Sequence, residues 1–147
     1  MSYQYARINL AKTNYQDNQL DWKFIRDIDG DTIDKLQDVY RTYCRYKRFS
    51  SVMPIFPSEY THEAVDVIGY YDNNCLEAWS LIQKFDNKNV YAYQFAWTYH
   101  KPRLRLGIRS LETECAIYKK LGYDYLYLEQ AHLYKKSFDG FEILGPI

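Results

Sequence analysis

The chain has 147 residues, nineteen basic and nineteen acidic side chains and no formal net charge, which is enough length for one domain that hides roughly 70% of its unfolded surface. Zero net charge leaves no overall field to draw in a polyanion, so a general nucleic-acid binder is disfavoured and any anion must be held by a local cluster. Cys44, Cys75 and Cys115 are an odd count without a Cys-x-x-Cys spacing, which excludes a disulfide framework and a zinc site and reads each as a small core residue in a reducing compartment.

Tyr3 to Leu10 is expected to be a short strand, and Lys12 to Gln19 a polar loop or arm. The N-terminus lacks the basic-then-apolar pattern of a signal peptide, and no apolar run approaches the 18 or so residues that span a bilayer, so the reading is cytoplasmic with no membrane partner. Trp22 to Ile28 reads as a strand. Asp31 then opens a helix with Ile33, Leu36, Tyr40 and Tyr43 on one face. Its acids, Asp31, Asp34 and Asp38, lie toward the N-terminus and Arg41, Arg45, Lys47 and Arg48 toward the C-terminus, as the helix dipole favours.

Phe49 to Thr61, with Pro54 and Pro57, is expected to be a loop lying over a pocket beside the sheet. His62 to Tyr71 and Cys75 to Phe85 are strands joined by Asp72-Asn73-Asn74, and the turn from Asp86 to Asn89 leads into a third strand, so an antiparallel meander is predicted. That third strand, Asn89 to His100, alternates strictly, with Tyr91, Tyr93, Phe95, Trp97 and Tyr99 on one predicted face. The seventeen tyrosines of the chain are spread over every predicted element, which suits a packing residue that keeps a polar tip wet.

Lys101 to Arg109 follows, with four cations and no acid around Gly107, and Ser110 stands where a helix N-cap would sit. A helix N-terminus after such a loop favours phosphate. Leu111, Cys115, Tyr118 and Leu121 recur at helical spacing, and Gly122 supplies the stop. Tyr123 to Gln130 is a strand that completes a right-handed crossover, parallel to Asn89 to His100 and in the same sheet. The anion site is therefore expected at Arg103, Arg105, Leu106, Gly107, Ile108, Arg109 and Ser110, at the carboxyl end of a strand. A short helical piece near Ala131 to Lys136 and a strand near Phe138 to Leu144 close the chain.

This order of elements resembles the GNAT-like N-acyltransferase fold. The resemblance implies an α+β domain over 1–147, with a mixed, mostly antiparallel sheet and helices on both faces, and with the donor's pyrophosphate at the loop before the second helix. Leu106 to Ala116 also resembles the Leu-Gly-x-x-Ser-x-x-x-Glu-x-Ala run in the transferase domain of arginyl-tRNA and leucyl-tRNA protein transferases, and Tyr125-Leu126 and Tyr134-Lys135 echo that family's later steps. The usual acyl-coenzyme A loop has a second small residue, whereas here Gly107 stands alone between Leu104 and Arg109.

The resemblance implies transfer of an acyl or aminoacyl group to an amine, from acyl-CoA (acetyl-CoA) or aminoacyl-tRNA, with no metal. The acceptor is a peptide N-terminus or a small molecule, and the further partners are a tRNA 3′ end in the aminoacyl case and a second copy of the chain as a homodimer. Glu129, near the end of its strand, either takes a proton directly or through water or is a solvated strand end. Tyr134 donates to the leaving oxygen or sulfur. In a second alignment Cys115 to Tyr123 resembles the later helix of that fold, which makes Tyr118 the acid for a coenzyme A thiolate, with core packing as the alternative. Trp97 and Tyr99 are the expected substrate contacts. His100 and His132 lack metal-ligand spacing, and no nucleophile-elbow glycines surround Ser110. Two competing readings remain: an inactive acyltransferase fold, and a module stacking single-stranded bases on the aromatic strand beside its cations.

Overall fold

A computed structural model describes residues 6–48, 57–128 and 137–144. Seven strands and three helices follow one another as β1 (Ala6–Asn9), β2 (Asp21–Phe24), α1 (Gly30–Lys47), α2 (Pro57–Thr61), β3 (Val65–Asp72), β4 (Cys75–Lys84), β5 (Asn89–Trp97), α3 (Leu106–Lys120), β6 (Tyr125–Leu128) and β7 (Phe141–Ile143), with 3-10 turns at Leu10–Lys12 and Pro102–Leu104. The strands form one sheet in the order β2-β3-β4-β5-β6-β1-β7. Every neighbouring pair is antiparallel except β5 and β6, which are parallel because α3 crosses between them. The expected α+β architecture, with its meander and its crossover in a single sheet, is the one observed. Ala131 to Lys136, read as a short helical piece, lies outside the described residues.

Local chemistry accounts for the boundaries. Asp29, extended at φ −94°, accepts the N–H of Thr32 and caps α1, so the helix begins just ahead of the expected Asp31. Asn73 and Asn74 both sit at left-handed φ (50° and 65°), the conformation that a two-residue hairpin between β3 and β4 requires. Gly122, at φ +94°, ends the turn after α3, and its N–H reaches the carbonyl of Lys119 at 3.1 Å.

Two cores share the sheet. On one face the sheet side chains Ile8, Ile68, Tyr70, Ile82 and Leu126 cluster with Leu111, Cys115 and Tyr118 of α3. On the other, Leu36 and Val39 of α1 and Tyr60 of α2 cluster with Trp79, Leu81 and Ala96. Trp79 also donates its indole N–H to the carbonyl of Leu36 at 2.8 Å, which fixes α1 against β4.

Two irregularities of register matter for function. Between β4 and β5, Leu81 pairs with Gln94 and Ile82 with Ala92, so Tyr93 is an extra residue, and a bulge of this kind inverts the parity of a strand. The single aromatic face expected from Tyr91 to Tyr99 is therefore broken. Phe95 and Trp97 pack on the α3 side, Tyr93 packs on the α1 side, and Tyr99 lies beyond the strand at φ 65°. Between β3 and β4, Tyr70 pairs with Ala78 and Tyr71 with Leu76, which leaves Glu77 as the extra residue of β4. Not all cysteines are core residues either: Cys44 and Cys115 are buried, while Cys75 is exposed at the β3–β4 turn, and all three are free thiols.

Candidate active site

Strand β5 holds β6 only over Asn89 to Ala92, and from Tyr93 to Trp97 it has no partner on that side among the described residues. The carboxyl half of β5 leads out of the sheet toward α3. Beyond it the chain turns through Tyr99, the Pro102–Leu104 turn and Arg105, itself at left-handed φ 51°, and enters α3. Buried Leu106 anchors that first helical turn in the core.

The helix starts five residues earlier than expected. Gly107, Ile108 and Arg109 belong to the first turn of α3 and not to a loop. Ser110 is not an N-cap: it is 2% exposed in the second turn, and its carbonyl accepts the hydroxyl of Tyr70 at 3.2 Å. The physical reason is that Pro102 and left-handed Arg105 already reverse the chain, so the helix needs no capping side chain to begin. The N–H groups of Ile108 and Arg109 return to the carbonyl of Arg105 at 3.2 and 2.9 Å, whereas those of Leu106 and Gly107 have no acceptor among the described residues. A Cβ built on Gly107 would meet nothing within 4 Å.

The surrounding cations are tethered to different degrees. Lys101 Nζ lies 2.5 Å from the Asp72 carboxylate and 3.9 Å from that of Glu77, and Arg103 is 3.5 Å from Asp72. The hydrogen bond from Lys101 holds the Asp72 carboxyl below its ordinary range, and Asp72 in turn raises the Lys101 ammonium. Arg105 is exposed beside the two free N–H groups, and Arg109 lies one turn into the helix.

Glu77 is the functional candidate that pattern reading passed over. Its bulge position turns it into a cavity of about 1050 Å³ between α1 and the β2–β4 end of the sheet, together with Thr98 and His100. The residue is 5% exposed, accepts the Thr98 hydroxyl at 2.8 Å and lies 3.9 Å from His100 Nδ1. The available signal was an acid inside the run Cys75 to Ile82, in which Ser80 is the other polar residue. A carboxylate buried in a cavity is a suitable proton acceptor for an amine.

The other expected residues fall in several places. Trp97 and Tyr99 stack at 4.0 Å at the end of β5, and Tyr46 and Tyr43 of α1 extend the stack at 4.9 and 6.0 Å from Tyr99. Tyr118 is fully buried and donates to Asp66 at 2.8 Å, and Asp66 is also 3.2 Å from Lys84 Nζ. Burial and the Asp66 charge push the phenol far above its ordinary range. At 1.5 Å per helical residue it lies about 12 Å along α3 from Ser110. Glu129 and Tyr134 lie outside the described residues. Among the described residues no group of His, Cys, Asp and Glu is arranged to hold a metal, and no helix is long and apolar enough to cross a membrane.

No protein-family model matches the chain, and no curated protein sequence is significantly similar to it. Solved structures are similar in fold. The C-terminal DUF2156 domain assigned to a lysylphosphatidylglycerol synthetase of Agrobacterium fabrum superposes with a TM-score of 0.66 at 13% identity, over 88% of this chain and 47% of that one. An aminoglycoside acetyltransferase from an uncultured soil metagenomic sample, in complex with trehalose, gives 0.58 at 14% identity over 82% of each chain. A GCN5-related N-acetyltransferase of Anabaena variabilis gives 0.64 at 8% identity over 98% of this chain and 38% of that one. The chain spans about half the length of the first of these. At such identities the likeness is one of fold, and the fold is the GNAT-like one.

Proposed function

We propose that the chain is a single-domain N-acyltransferase that binds a phosphate-bearing acyl donor at the start of α3 and passes its acyl group to an amine in the cavity under α1. The observation that carries this reading is the pair of free N–H groups at Leu106 and Gly107. Among the described residues these N–H groups have no acceptor and the carboxyl half of the preceding strand has no partner on the β6 side, and a Cβ at Gly107 would meet nothing within 4 Å. Two convergent amide donors at a helix N-terminus fit a phosphate oxygen, and Arg105 with Arg103 or Arg109 supplies the countercharge.

Acyl-CoA is the donor class that fits best, and an aminoacylated tRNA 3′ end offers the same phosphate chemistry. When bound, the donor supplies an activated carbonyl. Glu77, fixed by the Thr98 hydroxyl, takes the proton that the amine must lose before it attacks. Backbone groups along Tyr93 to Trp97 of β5 orient the carbonyl, with Trp97 and Tyr99 walling the approach. Tyr134 returns a proton to the leaving sulfur or oxygen, and Glu129 is a further acceptor near the end of the second strand of the crossover. Tyr118 has no part in this sequence, because its hydroxyl is committed to Asp66. Base stacking by the aromatic strand is disfavoured, since the Tyr93 bulge divides its rings between two packed faces.

Gly107→Ala tests the donor site. Alanine is about 1 kcal/mol better than glycine inside a helix and meets no neighbour here, so the melting temperature should hold or rise. Its methyl group would stand in the path of a phosphate, and calorimetric affinity for acetyl-CoA should fall about ten-fold or more. An unchanged affinity, or no binding of acetyl-CoA or an aminoacyl-adenosine mimic by the unaltered protein, overturns the reading.

A further inference from the structure

Glu77 gives the proposed reaction a proton acceptor, and the proton it takes must then reach solvent before the next cycle. The residue is 5% exposed, and an amine seated against it in the cavity would displace the water that reaches it there. Its polar neighbours among the described residues are Thr98, Lys101 and His100. The Thr98 hydroxyl donates to Oε1 at 2.8 Å, Lys101 Nζ lies 3.9 Å from Oε2, and His100 Nδ1 lies 3.9 Å from Oε1. Lys101 is also bonded to Asp72, which raises its ammonium and keeps it charged, so it has no site for a further proton. His100 differs. Imidazole takes and releases a proton near neutral pH, and this side chain is 59% exposed while it lines the same cavity.

Backbone geometry brings the ring to this place. Thr98 is tied to Glu77 twice, through its hydroxyl and through its N–H, which donates to the Glu77 carbonyl at 3.0 Å. The N–H of His100 donates in turn to Thr98 Oγ1 at 3.2 Å. Between the two residues Tyr99 turns the chain at left-handed φ 65°, and its ring stacks with those of Trp97 and Tyr46. One short turn therefore carries both the group that fixes Glu77 and the imidazole that faces it.

We propose that His100 is the proton relay of this site, taking from Glu77 the proton drawn from the amine and releasing it to solvent. The proton leaves the Glu77 carboxyl for Nδ1, the imidazolium gives up its Nε2 proton to water, and exchange with water restores the first tautomer. A gap of 3.9 Å is longer than a direct hydrogen bond, and one water or a small turn of the exposed ring spans it. This role rests on the acyltransferase reading above.

Steady-state acylation of glycinamide, triglycine or spermidine by the full chain, with acetyl-CoA in dilute buffer, tests the relay. His100→Ala removes only the ring, since the backbone N–H on Thr98 stays. It should lower kcat about ten-fold or more, with KM, the affinity for acetyl-CoA and the melting temperature unchanged. Free imidazole should restore most of the lost rate. His100→Gln, whose side chain fills the space of the ring, should be as slow and gain little from imidazole. A rate that survives His100→Ala, or a loss that imidazole does not relieve, overturns the relay and leaves the acyltransferase reading standing. If acetyl-CoA does not bind, or none of the three amines is acylated by the unaltered protein, both fall.

Discussion

Glu77 and Asp72 both meet Lys101, and the two carboxylates have different work because of where the backbone places them. Glu77 is buried at a bulge and faces the cavity, so Glu77→Gln should keep its fold, with the Thr98 hydroxyl still donating to the amide oxygen. Removing a general base costs about 10² to 10⁴ in rate, and steady-state acylation should fall by that factor while acetyl-CoA affinity stays within about two-fold. A variant with full activity would remove Glu77 from the mechanism. Asp72 is a clamp instead, tying the end of β3 to the loop that leads into α3. Its folded carboxyl is depressed, so the clamp is present above the unfolded value of about 3.9 and is lost only as pH falls through the lower folded value. Carboxyl NMR should place the Asp72 midpoint below about 3.9 and move it up toward that value in Lys101→Met; a midpoint that ignores Lys101 refutes the clamp.

Among the elements, α3 carries the most weight, since it closes one core and begins at the proposed donor site. Glu114, 3% exposed on its inner face, accepts the hydroxyls of Tyr70 on β3 and of Ser80 on β4, the latter at 2.7 Å. Tyr70→Phe withdraws one donor from a buried carboxylate and should cost about 1 to 3 kcal/mol in urea unfolding, without the loss of volume that a cavity would add. A change under about 0.5 kcal/mol would show that Glu114 is satisfied without Tyr70. The same helix shows where sequence reading works and where it stops. Leu111, Cys115 and Tyr118 revealed its buried stripe and Gly122 its end, whereas Leu121, expected on the same stripe, lies just past Lys120 and is 58% exposed. Its start was misplaced because Ser110 has the chemistry of a cap, and nothing in the one-letter pattern says that Arg105 adopts φ 51°. Strict alternation marked β5 correctly as a strand but assigned one face to rings that a bulge at Tyr93 splits between two. Both errors arise where tertiary packing sets a backbone irregularity that local propensity does not encode. For the same reason Glu77 stayed hidden until its bulge was seen.

Across the whole molecule the net charge is zero, so the chain has no long-range pull on a polyanion, and the proposed donor site would draw on Arg103, Arg105 and Arg109 near the α3 terminus. The single sheet with a core on each face raises a further question, whether those cores stand or fall together. The cysteines are suited to answer it. Cys44 lies on α1 and Cys115 on α3, both buried with their thiols pushed up by desolvation, while Cys75 is exposed at the β3–β4 turn. Native alkylation should therefore modify Cys75 first and alone among the three. Because both cores rest on the same strands, with Ile82 facing one helix and Trp79 and Leu81 the other, loss of either should expose the remaining face. Cys44 and Cys115 should become reactive at one urea midpoint, coincident with the loss of circular dichroism, as expected of a single cooperative unit. Separate midpoints for the two buried thiols would mean that α1 or α3 leaves the sheet on its own, and would divide the protein into two units that share strands but not stability.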